Sequence, residues 1–345
     1  MKKLLVALCM ALAVFTVVGC GKDDRPVLNI YSWSDYYDPA ILERFEKENN
    51  CKITYDVFSS NEELLAKMQA GGAQYDIIQP SDYMVTTMLE LKMLEKLDRS
   101  KLPNLKNIDK SLQKTAFDPK GEYSPVFTYG ITGIVYNTKY VKDAPTKWDD
   151  LWKSEYKGQV ILLNDCREVF SVALKKNGQS NNAKDKKDIA KAFEDLKALN
   201  KNVLAYDTEN NKQKFIAEDG WIGMLWSGDA AYVHRENPDL EFMVPPEGTL
   251  IWADTLAIPT SCKNKELAEK FINFMYDPEI SAQNFDYIAL PNPNVEAVKL
   301  MTDEYRNDPI LRLGNEKSNL GEWLVDVGDA ITIYDEYWTQ LKASK

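Results

Sequence analysis

Four places in the chain set an aromatic ring beside a carboxylate at the end of an apolar run. In Thr249-Leu250-Ile251-Trp252-Ala253-Asp254-Thr255-Leu256-Ala257-Ile258-Pro259 the run reads as a buried strand closed by proline. Trp252 and Asp254 are two residues apart there, so both side chains project from one face. Met224-Leu225-Trp226-Ser227-Gly228-Asp229 repeats the theme with Trp226 and Asp229. Leu162-Leu163-Asn164-Asp165-Cys166-Arg167-Glu168 places two acids after a third run. Ile30-Tyr31-Ser32-Trp33-Ser34-Asp35-Tyr36 gathers rings at the end of a fourth. A buried acid is costly unless it meets a cation. Taken singly, a buried Trp is ordinary core and an Asp after a strand is an ordinary turn or helix cap. Together the four places fit one cleft built to hold an organic cation.

Such residues need strands to carry them. Val27–Trp33 reads as a strand, and Asp38-Pro39 as a helix start with Ile41, Leu42 and Phe45 on its inner face. Ile53, Tyr55 and Val57 alternate as the next strand. Ser60-Asn61-Glu62-Glu63 has the form of a capping box opening a helix with Leu64, Leu65 and Met68, ended by Gly71-Gly72. Asp76–Gln79 is a short buried strand stopped by Pro80. This rhythm predicts an open parallel sheet flanked by helices, with ligands beyond the carboxyl ends of the strands. A loop-rich span runs from Asp98 to Gly121, and the chain crosses to a second lobe near Gly130–Gly133. That lobe reads as strand Gly158–Leu163, helices Arg167–Lys176 and Lys184–Asn200, strand Trp221–Trp226 and helix Asp229–Glu236. The chain returns through a strand over Trp252–Ile258 and a helix over Lys265–Tyr276. Near the carboxyl terminus Trp323, Val327, Ala330, Ile331, Tyr334, Trp338 and Leu341 fall at helical spacing, a stripe for packing. The fold class is therefore α/β. Lobe 1 covers residues 27–130 plus about 254–295, and lobe 2 covers about 131–253 plus 296–345.

Composition narrows the function. Met1-Lys2-Lys3, an apolar run over Leu4–Val18 and then Val17-Val18-Gly19-Cys20 have the shape of an export signal at 1–19, and Cys20 directly after Val-Val-Gly resembles the bacterial lipobox, which implies a lipoprotein acylated at Cys20. The run is too short to span a bilayer stably, and 20–26 would be a polar tether. Loss of Lys2 and Lys3 from the 42 basic residues leaves 40 against 53 acidic ones, a net charge of −13 that disfavours nucleic acid as a partner and favours cations. Cys51, Cys166 and Cys262 are too scattered for a disulfide framework or a metal site and read as buried thiols. The single histidine, His234, sits in a helical segment as a surface or capping residue. The chain has no Walker loop, dinucleotide glycine signature, nucleophile elbow or Cys/His metal pattern, and no cofactor or metal is implied.

A linear polyamine needs carboxylates for its ammonium groups and apolar walls for its methylenes; flat rings supply the walls and add about 1–2 kcal/mol each of cation–π attraction. Trp33, Tyr36, Tyr83, Trp226 and Trp252 are candidate walls, with Asp165, Glu168, Asp229 and Asp254 as charge partners. Two other readings stay open. A sugar or amino-acid receptor would use the same rings, although only Arg167 offers a cation for a ligand carboxylate. A glycoside hydrolase would use Asp165 or Glu168 as its acid.

Tyr31-Ser32-Trp33-Ser34-Asp35-Tyr36, Gln79-Pro80-Ser81-Asp82-Tyr83, Asp149-Asp150-Leu151-Trp152-Lys153-Ser154-Glu155-Tyr156-Lys157-Gly158, Asp165-Cys166-Arg167-Glu168-Val169-Phe170, Trp252–Pro259 and Gly321-Glu322-Trp323 together resemble the spermidine/putrescine-binding proteins of bacterial polyamine ABC transporters. The resemblance implies a two-lobed periplasmic-binding-protein fold of type II, with polyamine held between the lobes and delivered to permease subunits. It implies a monomer, lipid-anchored at the membrane and without catalysis. It places Trp33, Ser34, Asp35, Tyr36, Ser81 and Tyr83 as first-lobe contacts. Asp165, Glu168, Trp226, Trp252 and Asp254 become second-lobe and hinge contacts, Asp254 being a principal amine-binding acid. Arg167, between two acids, is assigned to structural neutralisation. Leu290 and Leu324 stand where spermidine binders of the family tend to carry Tyr and a polar residue, and Asp229 looks more like the putrescine-binding members.

Overall fold

The computed structural model describes residues 24–345 apart from Asp35, Gly72 and Ala73. The first lobe is built on β1 (Val27–Ser32), β2 (Lys52–Val57) and β3 (Ile77–Ile78), a parallel sheet in the order β2-β1-β3. Their crossovers are the helices Pro39–Asn49 and Asn61–Gln69. Asp38 caps the first, accepting from the Ala40 amide at 2.9 Å, with Pro39 at the position whose missing N–H costs nothing. Ser60 caps the second through the Glu63 amide at 3.1 Å. The capping box is displaced by one residue, since the Glu63 carboxylate takes the amide and hydroxyl of Ser59 rather than the amide of Ser60. As the edge strand, β2 leaves Val57 exposed, so its alternation is weaker than expected.

The second lobe is a seven-stranded mixed sheet. Its path runs β10-β9-β4-β7-β5-β6, from β4 (Val126–Asn137), β5 (Val160–Leu162), β6 (Val203–Tyr206), β7 (Ile222–Trp226), β9 (Thr249–Thr255) and β10 (Gly321–Trp323). The remaining strand, β8 (Leu240–Met243), pairs with β4 off that path. Several elements escaped the sequence reading, among them the helices Asp82–Glu90, Pro278–Ile288 and Pro309–Glu316, the strands β6, β8 and β10, and the six-residue helix Asn211–Ile216. The strands and the last helix are short, β6 is a sheet edge and that helix is polar, so hydrophobic period carries little signal there. A correction falls on the carboxyl-terminal stripe. Trp323 does not begin a helix but pairs with Ile251 in the β10–β9 ladder, and the helix starts only at Ile331. Tyr334, Trp338 and Leu341 are buried from it, while Ile331 is exposed.

The lobes join through β4 and β9, which lie antiparallel and traverse both cores. Val126, Phe127 and Ala253 pack with the first core; Ile131, Ile134, Val135 and Ile251 pack with the second-lobe cores. The strand expected over Trp252–Ile258 begins earlier and stops at Thr255, because the chain there leaves β4. Ala257 then exchanges two 2.9 Å backbone hydrogen bonds with Ile78 at the first-lobe sheet. Cys51 is buried, whereas Cys166 and Cys262 are only half-buried; all three are free. The His234 ring reaches the Leu240 carbonyl at 2.7 Å and ties its helix end to β8. Among the described residues no helix is long and apolar enough to cross a membrane, and no group of His, Cys, Asp and Glu could hold a metal ion.

Gly223 shows how tight the second sheet is. A Cβ built on it would stand 1.9 Å from the Ile161 carbonyl oxygen, a backbone atom that cannot swing away. Gly223→Ala is expected to lower the unfolding free energy by about 2 kcal/mol or more; an unchanged denaturation midpoint would contradict this packing.

Candidate ligand-binding cleft

Asp254 lies near the end of β9, where the strand reaches the first lobe, and only 7% of it is exposed. It accepts the Ser81 hydroxyl at 2.6 Å on one oxygen and the Tyr36 hydroxyl at 2.5 Å on the other. Ser81 is placed for this by the Pro80 stop after β3 and by an isolated antiparallel bridge to Asp254. Asn61 fixes it further, donating to its hydroxyl and accepting from its amide at 3.0 Å each. Tyr36 is held in the loop after β1, its ring stacked 6.0 Å from Phe127. Burial pushes the Asp254 carboxyl above the usual range, while the two hydroxyls pull it part of the way back.

Glu168 is the counterpart in the second lobe. Asp165 caps its helix by accepting the Glu168 amide at 2.9 Å. The buried Glu168 carboxylate takes the Trp226 indole N–H at 2.7 Å and the Thr132 hydroxyl at 2.9 Å. Burial, then the Asp165 charge, drives it up to about 8, against the pull of those two donors. Asp165 is also raised, chiefly by burial and then by the charge of Glu62 in the first lobe. Tyr83 donates to Glu62 at 3.1 Å; burial raises its phenol, and the charges of Glu62 and Asp165 add to the rise. Carboxylates of the two lobes thus face each other.

The rings lie where these acids meet. Trp226 and Trp252 stand edge to face, 6.2 Å apart at 62°. Trp252 pairs with Gly130 across the β9–β4 ladder, and its ring fills the space a side chain on Gly130 would need, 2.5 Å from the ideal Cβ. That close approach explains the glycine at the expected lobe crossing. The indole nitrogens of Trp252 and Trp33 are buried without a partner. Trp33 packs 4.5 Å from Phe58, and its carbonyl accepts the Tyr55 hydroxyl.

The structure therefore brings Tyr36, Ser81 and Asp254 into direct contact, and likewise Asp165, Glu168, Trp226 and Trp252. Ser34 is exposed, and Asp35 and Cys20 lie outside the described residues. Asp229, offered as an amine partner, is engaged by Lys212 at 3.2 Å. Arg167 points its guanidinium at the Asn181 and Val325 carbonyls and the Asn182 side chain, over the Tyr334 ring. It forms no ion pair with either neighbouring acid among the described contacts, although its charge steadies Asp165.

Four residues of the cleft were not foreseen: Glu62, Asp82, Thr132 and Lys212. Glu62 was visible only as part of the capping box. Thr132 is an unremarkable strand residue until paired with Glu168. Asp82, only 2% exposed, has one oxygen on the Tyr83 amide at 2.8 Å and the other unpartnered. Burial raises its carboxyl well above the usual range, and the charges of both Asp254 and Glu168 add to the rise. One group thus senses both principal acids.

Buried acids elsewhere are treated differently. Glu269 meets Lys101 at 3.1 Å, Asp150 meets Lys153 at 3.0 Å and Asp308 meets Arg235 at 2.9 Å. Asp118 takes the amides of Glu122, Tyr123 and Ser124 instead. Lys153 and backbone amides leave Asp150 below the ordinary range despite its burial. Among the described residues Asp254 and Glu168 meet neither a cation nor a fan of amides, only hydroxyls and one indole.

Comparison with known proteins agrees with this geometry. The profile of the bacterial extracellular solute-binding proteins matches residues 40–312. The chain belongs to that family. A spermidine/putrescine-binding periplasmic protein of Salmonella typhimurium is 40% identical over 325 residues, covering 93% of each chain. A putrescine-binding periplasmic protein of Escherichia coli is 30% identical over 365 residues, 100% of this chain and 99% of its own. Among solved structures, the substrate-binding protein of a spermidine/putrescine ABC transporter from Streptococcus pneumoniae superposes with a TM-score of 0.83 at 35% identity, over 92% of this chain and 99% of its own. The fold is the two-lobed periplasmic-binding-protein fold. By name all three are binding proteins and the third belongs to an ABC transporter, so neither the glycosidase reading nor the sugar or amino-acid receptor is favoured.

The raised Glu168 carboxyl sets a pH dependence. Below about 8 the unliganded protein holds this group protonated, so pairing it with an ammonium must expel a proton. Between the ordinary carboxylate range and 8 the folded state binds more protons than the unfolded one, so unliganded stability from this group falls as pH rises. Ligand affinity is expected to climb from pH 6 to 8, and calorimetric heats should scale with the ionisation enthalpy of the buffer. Heats independent of buffer would contradict the assignment.

Proposed function

We propose that the protein is an extracytoplasmic receptor for a polyamine, of the putrescine or spermidine type, which it delivers to the permease subunits of an ABC transporter without chemical change. The observation that carries this is the pair of buried carboxylates, Asp254 and Glu168, whose described partners are all neutral. A ligand ammonium supplies what each lacks, and charge-assisted pairing is roughly twice as strong as the neutral bonds already present. Trp226, bonded to Glu168, stands edge to face with Trp252 of the Asp254 strand, and the two rings can cover a methylene chain. Trp33, Ser34, Tyr83 and Asp165 complete the proposed contacts, together with Asp35, which lies outside the described residues. The names of the 40% and 30% identical relatives support the ligand class.

The family is extracellular, which supports export. The amino-terminal pattern ending in Gly19-Cys20 supports a signal peptide cut before Cys20 and a lipid on that cysteine, the receptor then working as a tethered monomer. Metabolic labelling with a radioactive fatty acid should mark the protein in cells and leave Cys20→Ala unmarked. Equal labelling of both would remove the anchor.

Asp254→Asn keeps the shape of the side chain while removing its charge, and losing a charged hydrogen bond of about 1.5–3 kcal/mol weakens binding about tenfold or more. Titration calorimetry against putrescine and spermidine measures this, with circular dichroism reporting the fold. Trp252→Ala should weaken both amines as well. Unchanged dissociation constants in the two variants would take these residues out of the site and overturn the reading.

A further inference from the structure

Arg167 is a buried cation whose guanidinium meets no carboxylate among the described contacts, although Asp165 and Glu168 lie within two residues of it. It is the second residue of the helix Cys166–Lys176, and only 8% of it is exposed. Its Nη2 donates to the Asn181 carbonyl at 3.1 Å and to the Asn182 side chain at 3.0 Å, and its Nη1 to the Val325 carbonyl at 3.4 Å. Asn182 is fastened to the same stretch, accepting the Val325 amide at 2.9 Å and donating to the Trp323 carbonyl at 2.8 Å. At the far end of the helix Lys175 meets Glu322 at 2.6 Å, and Glu322 also takes the Asn181 amide at 2.9 Å. Both ends of the helix that bears Glu168 are therefore tied to one short stretch, 321–325.

The network returns to the cleft. Asn181 donates to the Thr249 carbonyl at 2.9 Å, the Thr249 hydroxyl donates to the Thr132 carbonyl, and the Thr132 hydroxyl bonds Glu168 at 2.9 Å. A guanidinium taken out of water needs its donors met, and carbonyl and amide oxygens meet them here. Its charge is still felt. Burial raises the Asp165 and Asp82 carboxyls, and the Arg167 charge opposes that rise at both. The other ionisable groups facing Asp165 or Arg167 are Glu62 and Tyr83 of the first lobe and Cys166, Glu168, Tyr334 and Asp335 of the second. None of these carries positive charge; Lys342, which also reaches Cys166, bonds to the Asn164 side chain at 3.3 Å.

We propose that Arg167 is a positioning residue of the ligand site: it clamps the helix bearing Glu168, with its cap Asp165, onto the stretch 321–325, and it holds a fixed positive charge near Asp165 without occupying the oxygens a ligand ammonium needs. The inference rests on the polyamine reading above. A cation in direct contact with Asp165 would compete with the ligand for that carboxylate. A planar fork committed to carbonyls leaves the carboxylate open and still favours its ionised form. Arg167 acts through Asp165 and Glu168 and need not touch the ligand.

The test is titration calorimetry of the full soluble chain with putrescine, from pH 6 to 8, in buffers of different ionisation enthalpy. Arg167→Met removes the charge and the donors; Arg167→Gln removes the charge and keeps an amide to meet the carbonyls. Without the charge Asp165 holds its proton more tightly, so an arriving ammonium must expel more protons than in the parent. Both variants should bind putrescine about tenfold more weakly at pH 6, matching a tenfold rise in the proton affinity of Asp165. The deficit should shrink toward pH 8, and the protons released per ligand at pH 6 should increase. Arg167→Gln decides the matter if Arg167→Met does not fold. A residue serving the fold alone would cost affinity equally at every pH and leave the proton count unchanged. That result, or parent affinity in both variants, would overturn the role of Arg167 and leave polyamine binding in place. Failure of the parent protein to bind putrescine or spermidine would overturn the polyamine reading, and this proposal with it.

Discussion

A carboxylate removed from water must be compensated, and the structure turns on how it leaves two of them. Asp254 and Glu168 are buried, like the acids that stabilise the lobes, yet among the described residues their side-chain partners are hydroxyls and an indole. Glu269, Asp150 and Asp308 show that this chain pairs buried acids with lysine or arginine where structure alone is at stake. The neutral partners of the cleft acids hold the oxygens in place and supply no counter-charge, so that burial drives Glu168 up to about 8. Under the proposed function a polyamine would supply that charge from outside.

The same constraint explains how the lobes can act on one another. Glu62 and Tyr83 in the first lobe face Asp165 in the second, and Asp82 senses acids of both. Without a cation these groups raise one another's proton affinity and oppose close approach of the lobes. With one bound, the opposition becomes attraction through the shared ligand. β4 and β9 run from one core to the other as a ladder whose register shifts once, between Val126 and Thr128, so this strand pair is a hydrogen-bonded link between the lobes. Gly130 matters here too, since it admits the Trp252 ring against the strand pair that joins them.

Much of this was legible in the sequence. Long apolar runs, Asp38-Pro39 and the Ser60 cap announced the first-lobe rhythm, and rings beside acids at strand ends announced the cleft. What escaped was set by tertiary contact. The stripe from Trp323 to Leu341 reads as helical because spacing alone cannot show that Trp323 is drawn into a ladder with Ile251. The pieces β6, Asn211–Ile216 and β8 are too short for a period to emerge, and with that helix went Lys212, the cation that changes the meaning of Asp229. Arg167, adjacent to two acids in sequence, spends its donors on distant carbonyls. Sequence neighbours show which charges are near; only the fold shows which are already taken.

The most direct measurement compares 1,4-diaminobutane with 1,4-butanediol, a chain of the same length carrying no charge, by titration calorimetry at neutral pH. If the cleft acids await ammonium groups, the diamine should bind with a dissociation constant on the order of micromolar, about −8 kcal/mol, and the diol should give no heat of binding. Equal binding of the two, or indifference to both, would contradict the account at its base.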